Sequence, residues 1–107
     1  HEFPEMESIL VANDHMAVSL IQAACLRNLK SPDEIGIVGY DNIAESAYLR
    51  PPLTTIQIDQ YSVGKLAVEE IVKIIESGWQ DREPLEPKSI MLTPTLVVRQ
   101  SSLRIRN

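Results

Sequence analysis

The chain has a single cysteine, Cys25, among its 107 residues. One cysteine cannot form an intrachain disulfide, so a disulfide framework is excluded and a reducing, cytoplasmic compartment is expected. Cys25 lies within an apolar helical pattern, which predicts a buried and unreactive thiol. No apolar run approaches the roughly 18 residues that cross a bilayer, and the opening residues HEFPEME lack the basic and apolar parts of a signal peptide. We expect no membrane partner.

Basic residues are also few, because ten Lys and Arg stand against fifteen Asp and Glu, for a net charge of -5. A nucleic-acid surface usually concentrates positive charge, so any contact with DNA is expected outside these residues. The apolar fraction of 44% and the charged fraction of 23% are ordinary for a soluble globular protein. The length suits one small domain.

Motifs for catalysis and metal binding are missing. His1 and His15 have no Cys or His partner at metal-ligand spacing, there is no G-x-S-x-G elbow, and GIVG lacks the G-x-G-x-x-G spacing of a dinucleotide loop. We expect no catalytic residue, no metal, no cofactor and no enzymatic activity. An enzyme that depends on Asp14 and Asp41 is the weakest of three functional hypotheses.

Two short apolar runs near the start flank a helical pattern. SILVA, residues 8–12, and IGIVGY, residues 35–40, are typical of strands that are covered on both faces. Between them, apolar residues recur every four positions at Ala17, Ile21, Cys25 and Leu29. The order strand, helix, strand predicts a βαβ unit with parallel strands, so the fold class is α/β.

The second half of the chain predicts a strand, a helix and two short strands. TTIQI, residues 54–58, is rich in β-branched residues. Residues 60–77 follow the pattern of an amphipathic helix with Gly78 as its C-cap, before a loop over residues 79–87. The inner positions of that helix are Val63, Ala67, Ile71 and Ile74. SIML (89–92) and TLVVR (95–99) resemble short strands, and Pro94 between them predicts a change of direction.

Polar residues follow the first two predicted strands. Asn13 and Asp14 end one strand, and Asp41 and Asn42 end the next. Ligands of open parallel sheets bind at this carboxyl edge, although Asn and Asp also cap helices and form turns. A capping or turn role is favoured for Asp14 and Asn42, and Asn13 is evenly balanced. Asp41 is the best candidate for a ligand contact, since a carboxylate accepts hydrogen bonds from the adjacent hydroxyls of a sugar or from a nucleobase.

Five motifs, taken in order, resemble the LacI/GalR (lac/galactose repressor) family of transcription regulators. They are ILVANDHMA, IGIVGYDN, PPLTTI, the glycine Gly64 and LVVRQSS. The likeness implies part of one effector-binding domain with a parallel-sheet, periplasmic-binding-protein-like (type I) sugar-binding fold. Residues 8–57 and 95–107 would belong to its C-terminal subdomain and residues 60–93 to its N-terminal subdomain. Helix 60–77 would then lack its natural packing partner in these residues.

The resemblance also implies roles for individual residues. Asp41 matches the acidic position that holds the effector, and Asn13 matches a polar position in the same cleft between subdomains. Val18, Ile21 and Tyr48 fall where the subunits of a homodimer pair, although core packing would also explain them. The effector would be a sugar or a purine.

The implied protein is a DNA-binding repressor that senses a small molecule. Operator DNA would be bound only through an upstream helix-turn-helix headpiece that is absent from these residues. The alternative is a periplasmic or extracellular sugar-binding protein of a transporter, which shares the fold. PPLTTI and VVRQSS favour the repressor. One departure from the family is Ile58, where many members carry glutamine at the hinge.

Overall fold

The computed structural model describes residues 5–77 and 88–104. Within them the α-helices and β-strands are β1 (Ser8–Leu10), α1 (Asp14–Leu26), β2 (Gly36–Val38), β3 (Thr55–Gln57), α2 (Gln60–Glu76) and β4 (Thr95–Val97), with short 3-10 helices at Ala44–Tyr48 and Gln100–Ser102. The chain divides into two compact units. Unit 1 comprises His1–Ile58 with Thr95–Asn107, and unit 2 comprises Asp59–Pro94.

The first half of unit 1 is the predicted βαβ arrangement. β1 and β2 pair in parallel with Ile9 opposite Ile37, and α1 connects them. A parallel bridge between Val38 and Thr54 adds the start of the next strand. The α/β class is therefore confirmed. The strands are shorter than predicted, because the chain leaves the ladder where its polar loops begin.

The core of unit 1 lies between α1 and this sheet. Its buried apolar residues are Ala17, Ala24, Ile35, Ile37 and Leu53. Burying a side chain the size of Ile37 or Leu53 contributes about 1.5–3 kcal/mol. The predicted burial of Cys25 is wrong, since its side chain is exposed. A spacing of four residues drifts about 40° around a helix at every step, whereas the seven residues from Ala17 to Ala24 return almost to the same face.

The chain returns to unit 1 at β4, directly after Pro94. β4 pairs antiparallel with β3, with Ile56 opposite Leu96, so the TLVVR strand is confirmed. Beyond it, the fully buried Ser101 joins two segments of unit 1. Its hydroxyl donates to the Ile37 carbonyl oxygen at 2.5 Å and accepts from the Thr54 N–H at 2.8 Å.

Unit 2 contains α2, which begins at a side-chain cap. Asp59 Oδ1 accepts from the Ser62 N–H at 3.0 Å and Oδ2 from the Ser62 hydroxyl at 2.7 Å. Both bonds hold the pKa of Asp59 below its usual value, and the bond from the Ser62 hydroxyl has the larger effect. The helix ends with Ser77 as its C-cap, and the predicted Gly78 cap and the loop 79–87 lie outside the described residues.

No residue of α2 is buried by the described parts of the chain. Its predicted inner positions Ile71 and Val63 are 58% and 45% exposed, which is what the family resemblance implies for this helix. The predicted SIML strand is wrong, because residues 88–94 form no regular structure. A strand needs a neighbour for its backbone hydrogen bonds, and the described part of unit 2 offers none. Neither described helix is long and apolar enough to cross a membrane.

Candidate ligand-binding edge

The four predicted polar residues lie together where β1 and β2 end. The Asp14 N–H donates to the Tyr40 carbonyl oxygen at 2.9 Å. Asn13 precedes Asp14 and Asp41 follows Tyr40, so each lies directly beside one member of this hydrogen-bonded pair. We call Asn13, Asp14, Asp41 and Asn42 the polar edge, and their individual contacts separate structural duties from free chemistry.

Asn13 is the N-cap of α1. Its backbone is extended, with φ of -156°, and its Oδ1 accepts from the Met16 N–H at 2.8 Å. This bond satisfies one of the free N–H groups of the first helical turn. Since the cap uses the oxygen, and Nδ2 makes no hydrogen bond within the described residues, the amide can still donate to a ligand. Capping and ligand contact are compatible here.

Asp14 is fully buried and does not cap the helix with its side chain. Oδ2 accepts from the Ile43 N–H at 2.9 Å, and Oδ1 accepts from the Thr55 hydroxyl at 2.6 Å. The carboxylate thus ties the start of α1 to the loop after β2 and to β3. Gly39 leaves room for it, because a Cβ at that position would overlap Asp14 Oδ1. The structural role is clear, and the carboxylate does not face solvent.

Asn42 cross-links its loop to β3 and to Arg99, which lies two residues after β4. Its N–H donates to Thr55 Oγ1 at 3.2 Å and its Nδ2 to Gln57 Oε1 at 3.3 Å. Its Oδ1 accepts from the Ser46 hydroxyl and from Arg99 Nη2, both at 3.0 Å. The φ of 56° is left-handed, a conformation that Asn adopts more readily than most residues. Asn42 is therefore the turn residue that its sequence context favours, with both ends of its amide occupied.

Asp41 differs from these neighbours. Its backbone N–H donates to the Ile56 carbonyl oxygen at 2.9 Å, while its carboxylate makes no hydrogen bond or ion pair with any described residue. Its φ of 115° is one that residues with a side chain rarely adopt, and such a conformation costs about 1–3 kcal/mol. The backbone is thus held in an unfavourable conformation that leaves the partly buried carboxylate free.

Arg99 supports the polar edge through hydrogen bonds from its guanidinium group. It is a residue that sequence reasoning missed. Nη1 donates to the Ser46 hydroxyl at 2.8 Å and to the Leu53 carbonyl oxygen at 2.9 Å, and Nη2 donates to Asn42 Oδ1. The rigid guanidinium fork suits such multiple contacts. The available signal is an arginine at the end of an apolar run, within the LVVRQSS motif.

The residues predicted at a subunit interface occupy different environments. Tyr48 is 84% exposed. Val18 and Ile21 are partly buried, and Ile21 packs against the core of unit 1. Packing against the core therefore explains why Ile21 is partly buried, whereas Tyr48 is exposed to solvent.

The sequence predicts no metal site, because neither histidine has a Cys or His partner at metal-ligand spacing. His15 is exposed in the first turn of α1, and His1 lies outside the described residues. No group of three or more His, Cys, Asp or Glu residues that could hold a metal ion occurs in residues 5–77 and 88–104.

Known proteins match nearly the whole chain. The family described as periplasmic binding protein-like domain matches residues 3–102. The repressor PurR of Glaesserella parasuis is 36% identical over 95 residues, covering 88% of this chain and 28% of the relative. The lactose operon repressor of Klebsiella pneumoniae is 34% identical over 102 residues, covering 95% of this chain and 27% of the relative. Both are repressors, which agrees with the expectation that the chain is not an enzyme.

A solved structure has the same fold. It is the lac repressor dimer bound to operator and the anti-inducer ONPF, with a TM-score of 0.76 and 31% identity. The match covers 91% of this chain and 28% of that chain. The present chain thus spans less than a third of the length of each of these relatives.

Proposed function

Since the chain belongs to the periplasmic binding protein-like domain family, in the form found in LacI/GalR transcription regulators, we propose that it is the effector-sensing part of a transcription repressor. The observation that carries this proposal is the free carboxylate of Asp41 on a tightly held backbone. Three of the four polar-edge residues have side-chain duties within the fold, and Asp41 has none among the described residues. A side chain that is positioned but unused is available to a ligand.

The chemistry of the polar edge suits a sugar best. Asp41 can accept two hydrogen bonds from adjacent hydroxyls, and Asn13 Nδ2 can donate to a hydroxyl or ring oxygen. Charge-assisted bonds of this kind discriminate against molecules that lack the matching donors. A purine, which offers ring N–H and amino donors, is the second ligand class to test.

The regulatory proposal needs two conformations with different effector affinity. We assign residues 8–57 and 95–107 to a C-terminal subdomain and residues 60–93 to part of an N-terminal subdomain. The division into compact units at Ile58 and Pro94 supports this assignment. The effector would bind between the subdomains, and operator DNA would be contacted by a headpiece beyond these acidic residues. Such a regulator acts in the cytoplasm.

We also propose that the regulator is a homodimer. The related lac repressor structure is a dimer, and the exposed ring of Tyr48 fits a surface that a second subunit covers. Val18 is partly buried on α1 but does not belong to the core cluster of unit 1, and we assign it to the same interface. Ile21 would serve both the core and the interface.

The test is calorimetry of the full-length protein against a panel of mono- and disaccharides and purines. Asp41→Asn keeps the size of the side chain and removes its charge, and Asn tolerates positive φ. A hydrogen bond to a charged group is worth about 1.5–3 kcal/mol, so the affinity for the bound member of the panel should fall about 10- to 150-fold. Asp33→Asn, at an exposed carboxylate of unit 1, is the control and should leave affinity unchanged. Equal affinities for Asp41→Asn and the wild type would refute the proposal.

A further inference from the structure

We infer that Asp14 and Thr55 are positioning residues that hold Asp41 in its ligand-binding conformation. This inference rests on the proposed function of Asp41. Both residues are fully buried, so neither side chain can reach an effector from the interior of unit 1. Any effect that they have on effector affinity must therefore pass through the loop that carries Asp41.

Asp14 holds that loop on both sides of Asp41. Its backbone N–H donates to the carbonyl oxygen of Tyr40, the preceding residue, at 2.9 Å. Its Oδ2 accepts from the N–H of Ile43, two residues after Asp41, at 2.9 Å. A loop that is attached to one residue at both ends, with only two residues between, has little freedom to change its dihedral angles.

Thr55 fixes the middle of the same loop from β3. Its Oγ1 accepts from the Asn42 N–H at 3.2 Å and donates to Asp14 Oδ1 at 2.6 Å. The neighbouring Ile56 carbonyl oxygen accepts from the Asp41 N–H. Every residue from Tyr40 to Ile43 is therefore bonded through its backbone to α1 or to β3. We call these contacts the Asp14 clamp.

The clamp explains how Asp41 keeps its unusual backbone. A φ of 115° is unfavourable for any residue with a Cβ, so a freed loop would relax toward negative φ and turn the carboxylate away. Strained residues persist where surrounding contacts over-determine them. The binding orientation of the Asp41 side chain is thus maintained by the contacts of the loop backbone with α1 and β3, and not by contacts of the side chain itself.

The burial of the Asp14 side chain supports the same role. No ion pair reaches it within the described residues, and a buried carboxylate is costly unless it is well hydrogen-bonded. Asn13 already caps α1, so the helix start does not need a second polar side chain. Asp14 lies in the first turn of α1, where the positive end of the helix dipole favours a negative charge. The two hydrogen bonds of the buried carboxylate both lead to the loop or to its anchor on β3.

The experiment measures effector affinity by calorimetry on the full-length protein. Thr55→Val replaces the hydroxyl by a methyl group of similar size and should weaken affinity about tenfold, a change of about 1.4 kcal/mol. Thr55→Ser keeps the hydroxyl and should restore affinity to within about twofold of wild type. If Thr55→Val does not fold, Asp14→Asn takes its place in the test. It keeps the volume but replaces one of the two acceptor oxygens of Asp14 by an N–H₂ group, and it should weaken affinity in the same way.

Two controls separate positioning from a general loss of stability. Ser101→Ala removes another fully buried hydroxyl of unit 1, which bonds to Ile37 and Thr54 and not to residues 40–43, and should lower the unfolding midpoint without changing effector affinity. In an Asp41→Asn background, Thr55→Val should have no further effect on affinity, because the group that it positions is gone.

The outcomes distinguish the two claims. If Asp41→Asn leaves affinity unchanged, the proposed function fails. If Asp41→Asn weakens binding while Thr55→Val and Asp14→Asn do not, only the positioning inference is overturned. Equal losses for Thr55→Val in the wild-type and Asp41→Asn backgrounds would also overturn it.

Discussion

Gly39→Ala should be among the most damaging single-methyl changes in this chain. Gly39 is buried between Asp14 and Leu53. An added Cβ would overlap Asp14 Oδ1 and lie 3.0 Å from Leu53 Cδ2. Neither neighbour is the free end of a flexible side chain, because Asp14 is held by two hydrogen bonds and Leu53 is fully buried in the core. The new methyl group must therefore displace one of them.

The expected loss follows from three contributions. Overpacking a core costs about 1–3 kcal/mol. Moving Asp14 weakens a bond to Ile43 or to Thr55 and leaves a buried donor unsatisfied, at about 1–3 kcal/mol. Replacing glycine by alanine recovers about 0.4–1 kcal/mol through the unfolded state. The net free energy of unfolding should fall by about 3 kcal/mol.

Urea denaturation of the full-length protein checks this value, with a midpoint shift of about 1 M or more expected for a slope of 1–3 kcal/mol per M. Gly36→Ala, at the start of β2, the strand that Gly39 directly follows, is the matched control. Its Cβ would lie 3.6 Å from the Ser8 Cβ, which is ordinary van der Waals contact, so its midpoint should stay near that of the wild type. Equal midpoints for the two variants would refute the steric argument.

Two further predictions concern Asp41 and Asp59. Asp41→Gly relieves the positive φ and should raise the free energy of unfolding by about 1 kcal/mol in urea denaturation, after the entropic cost of glycine, while effector binding is lost; a lower stability than wild type would contradict the strain. Ser62→Ala should raise the pKa of Asp59 toward its usual value, as measured by NMR titration, because the hydroxyl is the main cause of its lowering. In the wild type, the stabilisation linked to this shift is present above the unfolded-state pKa and is lost as the pH falls through the lower folded-state pKa. An unchanged pKa in Ser62→Ala would show that the hydroxyl bond is not the cause.

Most of the helices and strands could be predicted because their signals are local. A continuous apolar run, a helical pattern and a second run already define a βαβ unit, and Asp59 stands at the start of α2 as a conventional cap. Cys25 and the SIML segment show the limits. A period of four drifts off the buried face of α1, and a short apolar run becomes a strand only if another strand lies beside it.

The position of the polar edge could be predicted from the sequence, but the separate role of each of its residues could not. Four Asn and Asp residues at two strand ends indicate a site, yet the Asp14–Ile43 bond joins residues 29 apart and the Arg99–Asn42 bond joins residues 57 apart. No periodicity encodes such contacts. The positive φ of Asp41 is likewise imposed by its neighbours, since aspartate itself prefers a negative φ.

Unit 1 is completed by residues that the ribosome makes late. The whole of unit 2 is synthesised between β3 and β4, and Ser101 then bonds to residues 64 and 47 positions earlier in the chain. At about 5–20 residues per second, several seconds pass between the synthesis of Ile37 and that of Ser101. The apolar surface around Ile37 lacks its last contacts during that time. During translation, this interval is when unit 1 is most open to chaperones and to aggregation.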